Sequence, residues 1–445
     1  MKLVFSIALR FLLASVLVPV GLTLASTSES TNDCSEDYIA RVVRYLSSPS
    51  LAGRKTGSFG SFLSARFIAR ELWEAGVLPL HGSADEANQT KAQNYFHYFW
   101  STDDGESANR TKISGRNVIG IINRAGLQKG KAYILLTAHY DHLGSRIGKL
   151  GHWQYFPGAN DNASGVSVLL ELARRLPSVQ RTKPLVYPIV LLFTDAEEDG
   201  LKGAMAFLAD PPRELKGRRP ALVINLDTLN LTHGKLYVGT DARIRMAFSS
   251  AEISALDLLK KCKDESQFPY EIVAMRTALS AGDHYAFHQE KIPFVFFFGG
   301  APLTYHRTDD TWEKIDYASL AQIARLLENF LLSLDDATRF TRMDIGEMEV
   351  PQDGERRAFL GTIPDFSRVV ENGVLLSGVV PGSPAEKAGL RAGDILRKVA
   401  GRQTKDLKTF SEILKTLEPG TVVMIVFERE GELYEVSAYL VERQE

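Results

Sequence analysis

Short runs of apolar, β-prone residues recur along the first two thirds of this 445-residue chain, and helical patterns separate several of them. The runs cover residues 117–122, 133–137, 189–193, 221–226 and 294–298. Each run is apolar throughout instead of alternating, which is typical of strands that are covered on both faces. Between two of them, residues 164–176 place Val166, Leu169 and Leu170 on one helical face. The pattern predicts an α/β fold with a mainly parallel, mixed sheet and helices on both faces.

The residue pattern changes in the last part of the chain. Polar residues with Pro351 and Gly354 follow the helical pattern at 318–334 and predict a domain boundary. Short β patterns joined by glycine-rich turns come after it. We therefore predict a large domain over residues 33–342 and a small β-rich domain over residues 355–445.

The N-terminal residues 1–25 combine a basic start with an apolar run that ends in small residues. This composition predicts a secretory signal peptide, and hence an exported protein that is periplasmic or secreted. An uncleaved anchor is the alternative. The apolar run is shorter than the roughly 20 residues that a spanning helix needs, so we expect no stable membrane span after signal removal.

Composition excludes several classes of function. The 52 lysines and arginines nearly balance the 54 aspartates and glutamates, which argues against a nucleic-acid partner held by a basic surface. The chain has only Cys34 and Cys262, so a disulfide-dense scaffold and a cysteine-rich zinc site are both excluded. Export would permit a disulfide between these two cysteines, and two free thiols are equally compatible with the sequence.

Imidazole and carboxylate side chains follow four of the predicted strands or begin the helix after one of them. They are His139, Asp141, Asp161, Asp195, Glu197, Glu198, Asp227 and His306. The carboxyl ends of parallel strands meet at one edge of a sheet, where ligands bind. Any one of these groups alone would more commonly cap a helix or lie in solvent. Their joint recurrence at strand ends predicts a metal site.

The residue types indicate which metal. Histidine with carboxylate oxygens, and no thiolate, suits Zn²⁺, with Mn²⁺ or Co²⁺ as substitutes. The carboxylates are too many for one tetrahedral zinc, and one of them can bridge two ions about 3.5–4 Å apart. Glu197 and Glu198 are adjacent and would point to opposite sides, so that one binds metal while the other faces the activated water. Asp141 stands two residues after His139 and can accept its second ring N–H.

Five ordered segments resemble the motifs of metallopeptidase family 28, which contains two-zinc aminopeptidases and carboxypeptidase relatives. The segments are residues 137–141, 160–165, 197–201, 225–227 and 305–306. The likeness extends from about residue 51 to residue 334 and implies a zinc-dependent exopeptidase fold. The resemblance also implies the ligand set: Asp161 would bridge two Zn²⁺ ions. His139 and Asp227 would complete one site, and Glu198 and His306 would complete the other.

The same resemblance makes Glu197 the general base and Asp141 the carboxylate that orients His139. Ala196 stands before the two glutamates, where the family often has glycine, and we expect the change to be tolerated. His142 lies beside the first motif and is interpreted as a pocket group and not as a ligand.

Four further residues lie near the predicted ligand motifs in the sequence. His284 lies in a segment that resembles a family segment near the site, and Tyr305 precedes a predicted ligand. Trp153 and Tyr155 lie in the loop 145–157, between two ligand motifs. We interpret these four residues as candidate substrate-binding groups, with ordinary packing as the open alternative.

Residues 382–394 resemble the long motif of bacterial PDZ domains, as found in exported proteases. Upstream, Phe359, Leu360 and Gly361 resemble the loop that binds a peptide carboxylate in those domains. The resemblance implies a β-rich PDZ domain that takes a peptide C-terminus as an added strand. A rigid spacer is the alternative.

Together these features predict an exported exopeptidase that acts on peptides, and an aminopeptidase before a carboxypeptidase or another amide hydrolase. A glutaminyl cyclase uses a single zinc, so the full ligand set weighs against it. A receptor that keeps the fold without catalysis is a further alternative, and such a protein would be expected to have lost ligands or the base.

Overall fold

The computed structural model describes residues 34–80, 92–102, 112–129, 132–148, 151–231, 234–246, 252–275, 277–300, 302, 304–348, 358–365 and 370–442. The predicted signal peptide, and Pro351 and Gly354 of the predicted boundary, lie outside these residues. Within the described part of the chain, no helix is both long enough and apolar enough to cross a bilayer.

The larger part of the chain contains sixteen strands and eight α-helices. The strands are β1 Leu78–Pro79, β2 Phe96–Thr102, β3 Lys112–Ile122, β4 Tyr133–His139, β5 Ser145–Ile147, β6 Trp153–Tyr155, β7 Ile189–Thr194, β8 Pro220–Asp227, β9 Lys235–Thr240, β10 Ala242–Arg245, β11 Ile253–Ser254, β12 Glu271–Met275, β13 Thr277–Leu279, β14 Phe294–Phe298, β15 Arg339–Arg342 and β16 Gly346–Met348. The helices are α1 Glu36–Leu46, α2 Phe59–Glu74, α3 Arg124–Gln128, α4 Gly165–Val179, α5 Lys202–Ala209, α6 Ala255–Ser266, α7 His284–Gln289 and α8 Tyr317–Ser333. These counts refer to the described residues.

A nine-stranded mixed sheet runs through this part in the order β1-β3-β7-β4-β8-β14-β9-β12, with β2 paired to β3. The four central strands, β7, β4, β8 and β14, are parallel to one another. The flanking strands β3 and β9 run antiparallel to the central ones. Parallel neighbours bring their carboxyl ends to one edge, which is the edge that carries the predicted ligands.

Helices cover both faces of the sheet, as the continuous apolar strands predict. Helices α1, α2, α4, α6 and α8 pack together on one face, with Leu169 and Phe330 in their core. Helices α5 and α7 cover the other face, where Phe207 and Phe287 pack against β14. The predicted α/β fold class is confirmed.

The residue pattern predicts a first helix over residues 38–51, and the helix in the structure ends earlier. Helix α1 ends at Leu46, and Pro49–Leu51 form a 3₁₀ turn. Proline lacks a backbone N–H and disfavours helical geometry in the residue before it, so the helix stops ahead of Pro49.

The C-terminal residues build a separate β-rich core. It contains β17 Ala358–Phe359, β18 Thr362–Pro364, β19 Val374–Val379, β20 Ile395–Val399, β21 Arg402–Gln403, β22 Val422–Arg429, β23 Glu432–Tyr439 and β24 Val441–Glu442, with α9 Pro384–Lys387 and α10 Leu407–Lys415. Phe410 and Ile413 of α10 pack against Ile425 and Phe427 of β22. Among the described residues, this core is built from side chains of residues 358–440.

Residues 339–342 and 346–348, which follow α8, pair with strands of the larger part. Strand β15 pairs with β10, and β16 pairs in parallel with β13. Ordered pairing thus continues to Met348, beyond the residue 342 at which the sequence pattern places the end of the large domain. The limits 33–342 and 355–445 stay predictions.

Candidate metal centre

The four central strands deliver the predicted ligands to one edge of the sheet. His139 is the last residue of β4 and Asp227 is the last residue of β8. Glu197 and Glu198 follow β7, and His306 lies in the loop after β14. Asp161 lies in the irregular turn that leads into α4. The six side chains thus come from four crossings of the sheet, and the fold, not local sequence, brings the four groups together. The roles assigned to them from sequence stay predictions.

One cluster forms around His139. Its Nε2 atom lies 3.2 Å from Asp161 Oδ1 and 3.4 Å from Asp227 Oδ1. Glu197 Oε2 lies 3.9 Å from the same nitrogen, slightly farther out. His139, Asp161 and Asp227 can each point one ligand atom at a common cation.

A second cluster forms around His306. Its Nε2 atom lies 3.1 Å from Asp161 Oδ2 and 3.1 Å from Glu198 Oε2. Asp161 therefore presents one carboxylate oxygen to each cluster. This is the arrangement that a carboxylate needs in order to bridge two metal ions.

His142 contacts the second cluster directly. Its Nδ1 atom lies 2.6 Å from Glu198 Oε1, and its ring centroid lies 5.8 Å from that of His306. Among the described residues, His142, Asp161 and Glu198 also form a group that can hold a metal ion. The sequence interpretation of a pocket group is compatible with the hydrogen bond, and the geometry adds that His142 orients Glu198.

Asp141 contacts the backbone of Glu197 and Glu198 as well as the side chain of His139. Its carboxylate lies 3.7 Å from His139 Nδ1, whereas its backbone carbonyl lies 3.3 Å from that nitrogen. The carboxylate oxygens accept the backbone N–H groups of Glu197, at 3.1 Å, and Glu198, at 3.3 Å. The spacing in the sequence predicted only the contact with His139. The fold adds a link from Asp141 to the pair of glutamates.

Asp310 is a site residue that sequence reasoning missed. Its buried carboxylate accepts the backbone N–H of Asn160, at 3.0 Å, and that of Asp161, at 3.1 Å. These bonds fix the turn that carries the shared carboxylate, and burial raises the pKa of Asp310 to about 6. Nothing in the sequence distinguishes it from Asp309, which pairs with Lys314 at the surface.

Asp195 lies away from both clusters, although it follows β7. It accepts the hydroxyl of Thr56, at 2.9 Å, and that of Ser61, at 3.2 Å. Burial and the neighbouring Asp141 raise the pKa of Asp195 to about 7.

Asp283 is a second buried carboxylate with a raised pKa. It accepts the Thr194 hydroxyl, and burial is the main cause that raises its pKa to about 7.

The charges of the site explain why it suits divalent cations. Burial raises the pKa of Glu197 well above its usual range, and the neighbouring carboxylates of Glu198 and Asp227 add to the effect. Burial opposes protonation of His139, but the charges of Glu197 and Asp227 and the contacts with Asp141 and Asp161 outweigh it and raise the pKa of His139. Buried carboxylates without cations are costly. The donor set of imidazole nitrogens and carboxylate oxygens fits zinc.

The predicted substrate-binding residues fall in different surroundings. Tyr305 stacks on His306, with ring centroids 3.9 Å apart, and keeps 37 % of its surface exposed. Trp153 is 73 % exposed and Tyr155 is half-buried, both in the β5–β6 hairpin. Tyr305 is thus the one of these three that directly contacts a predicted ligand.

His284 has the surroundings of a packing residue. Its ring is fully buried, and its centroid lies 4.0 Å from that of Phe296. Burial lowers the pKa of His284 to about 3, so the ring is neutral. The ring lies against the apolar β14, and the substrate contact assigned to His284 from sequence stays a prediction.

The loop that resembles a carboxylate-binding loop lies at the edge of the small sheet. The carbonyls of Leu360 and Gly361, which follow Phe359, accept the backbone N–H groups of Ala385 and Val380, each at 2.8 Å. Gly361 has a φ of +86°, and a Cβ there would lie 2.2 Å from Ser383. The neighbouring β18 ends the sheet order, so no strand of the described residues pairs with its other side.

Comparisons with known proteins agree with the fold. Residues 117–331 match the model of peptidase family M28, and residues 376–429 match the model of a PDZ domain. Along the chain, the match to the M28 model is thus followed by the match to the PDZ model. The corresponding resemblances in the sequence are thereby confirmed.

Curated relatives of this chain include an aminopeptidase and a cyclotransferase, each similar to about half of it. The Bacillus subtilis aminopeptidase YwaD is 30% identical over 227 residues, which is 49% of this chain and 44% of YwaD. The glutaminyl-peptide cyclotransferase of Drosophila melanogaster is 26% identical over 244 residues, which is 50% of this chain and 65% of that protein. The matches thus span less than two thirds of either relative.

Other relatives are similar over smaller parts or in structure. The Escherichia coli periplasmic serine endoprotease DegQ is 40% identical over 78 residues, or 17% of this chain and 16% of DegQ. The crystal structure of the Legionella pneumophila LapA aminopeptidase has a TM-score of 0.48 at 19% identity, and covers 68% of this chain and 73% of LapA.

Asp310→Asn should weaken zinc binding about 10- to 100-fold, because the two N–H groups of the Asp161 turn lose a charged acceptor. The measurement is a zinc titration in competition with a chromophoric chelator. Asp309→Asn is the matched control, since its carboxylate pairs with Lys314 at the surface. Equal zinc affinities in the two variants would contradict the role of Asp310.

Proposed function

We propose that the protein is an exported two-zinc exopeptidase, and specifically an aminopeptidase. The observation that carries the proposal is the position of Asp161, which offers one oxygen to a His139–Asp227 cluster and the other to a His306–Glu198 cluster. The match to peptidase family M28 and the similarity to the aminopeptidase YwaD support the same reading.

In the proposed mechanism, His139, Asp161 and Asp227 would hold one zinc ion, and Glu198, His306 and Asp161 the other. When bound, zinc lowers the pKa of water and polarises a carbonyl oxygen. Mn²⁺ and Co²⁺ are proposed as substitutes, since the oxygen and nitrogen donors suit them too.

Glu197 is the proposed general base. Among the carboxylates around His139 Nε2, that of Glu197 lies farthest away, at 3.9 Å. Asp161 and Asp227 are the proposed metal ligands, so Glu197 is the carboxylate that can transfer the proton. Burial raises its pKa, which favours a base that takes a proton from the attacking water and gives it to the leaving amine. Asp141 acts by holding the backbone of Glu197 and Glu198 in place.

Outside the metal centre, residues 1–25 would direct export to the periplasm or the exterior. The PDZ domain would bind the C-terminus of a peptide through the loop of Phe359, Leu360 and Gly361, because no described strand pairs with the outer edge of β18 beside that loop. The proposed partners are therefore peptides at both domains.

A glutaminyl cyclase is the second candidate, because the Drosophila melanogaster relative carries that name. The presence of both histidine clusters in this chain favours the two-zinc hydrolase.

Digestion of a mixed peptide library, followed by mass spectrometry, tests the reaction. We expect loss of single N-terminal residues, abolished by a chelator and restored by added Zn²⁺, because buried carboxylates and histidines hold the ions. Loss of C-terminal residues, N-terminal cyclisation, or activity that resists chelation would each contradict the proposal.

Glu197→Gln should keep zinc stoichiometry while lowering turnover by about 10²- to 10⁴-fold, since the amide cannot accept the proton. Hydrolysis of an aminoacyl anilide and metal analysis provide the two measurements. Glu290→Gln, at a surface ion pair with Arg219, is the control and should retain normal turnover. Near-normal turnover of the Glu197 variant would place the base elsewhere.

A chain that ends at Met348 should hydrolyse aminoacyl anilides as the full chain does. The reason is that β16 completes the pairing with the large part, while the PDZ core lies wholly beyond it. Anilide turnover and the melting temperature of the M28 domain are compared in both chains. Loss of turnover in a folded truncated chain would mean that the PDZ domain completes the active site.

A further inference from the structure

Arg54 is buried beneath the metal centre without an acidic hydrogen-bond partner. Its side chain has no exposed surface, and it lies in the segment between α1 and α2. Every hydrogen bond that its guanidinium makes in the described part of the chain ends on a backbone carbonyl oxygen. The acceptors are the carbonyls of Tyr140 at 2.8 Å, Leu46 at 2.5 Å, Pro157 at 2.6 Å, Gly158 at 3.0 Å and Asp161 at 3.5 Å.

Four of these five carbonyls belong to the two segments that carry His139 and Asp161 of the first cluster, and the fifth, that of Leu46, ends α1. Tyr140 stands between His139 and Asp141, at the end of β4. Pro157 and Gly158 lead into the turn that presents Asp161, and Asp161 itself contributes the last carbonyl. One rigid guanidinium therefore ties the histidine of the cluster to its shared carboxylate through the backbone.

The local backbone leaves Arg54 little freedom to move. Its φ is +52°, in the left-handed region. The preceding Gly53 is packed so tightly that a Cβ would lie 2.2 Å from the carbonyl oxygen of Gly144 and 2.7 Å from that of Phe156. The backbone at Gly53 and Arg54 is thus enclosed by other backbone atoms, and this fixes the position of the guanidinium.

The electrostatics of the site explain why a charged residue is kept there. Burial lowers the pKa of Arg54 to about 10, while Asp161 and Asp141 favour its charged form. A buried cation without such neighbours would carry a large free-energy penalty of desolvation. Lysine carries the same charge but has a single ammonium group, whereas arginine has five N–H donors in a planar fork.

We propose that Arg54 is a positioning residue that sets the separation between the His139 end of β4 and the Asp161 turn, and so the geometry of zinc binding. This inference rests on the proposed two-zinc function. The role depends on the shape of the fork as well as on its charge, because the guanidinium reaches carbonyls of two separate segments at once.

The test compares Arg54→Lys and Arg54→Gln with Arg175→Lys in the full chain. Arg175 is the matched control, because it is also buried, but it pairs with Glu328 at 2.6 Å between α4 and α8. Zinc affinity is measured by competition with a chromophoric chelator, and the melting temperature is measured without metal. We expect both Arg54 variants to bind at least one of the two zinc ions tenfold or more weakly. Arg175→Lys should bind both as the wild type does.

Wild-type zinc affinity in either folded Arg54 variant would overturn the inference, and so would an equal loss of affinity in Arg175→Lys. Failure of both Arg54 variants to fold beside a folded Arg175→Lys would also overturn it, in favour of a general structural role. A wild-type chain that binds no zinc would instead contradict the proposed function, so the two failures are distinguishable.

Discussion

The shared position of Asp161 is the constraint on which the rest of the site depends. One of its carboxylate oxygens lies 3.2 Å from the nitrogen of His139, and the other lies 3.1 Å from that of His306. Those two histidines come from different strands, so the carboxylate has to be held accurately in a turn that has no regular ladder of hydrogen bonds. Two side chains hold this turn. The Asp310 carboxylate accepts backbone N–H groups of the turn, and the Arg54 guanidinium donates to its carbonyl oxygens.

Negative charge at the strand ends is the second organising feature. The edge of the parallel sheet gathers carboxylates that are almost completely buried, and the histidines among them have raised pKa values because of that charge. Arg54 supplies one fixed positive charge below the cluster. Divalent cations would supply the remainder, which accounts for an acidic centre within a chain whose formal net charge is only −2.

The central strands and their polar ends were predictable because both signals are local. A continuous apolar run predicts a covered strand, and the residue after it can be read directly, as with His139 after β4. Strands β9 and β12 were missed, since their residues are less uniformly apolar and β12 is partly exposed at the edge of the sheet. Asp310 and Arg54 were missed for a different reason. Their partners lie 149 and 86 positions away in the chain, and only the folded backbone brings them together.

A carboxylate that serves both clusters also has a thermodynamic meaning. Two ions bound to separate ligand sets would load independently, whereas ions that share Asp161 would not. The first ion would order the turn for the second, and its positive charge would oppose the second. Because linkage is reciprocal, whichever effect prevails must appear equally in both directions. The occupancy of one position would then report the state of the other, and the centre would behave as a single coupled unit.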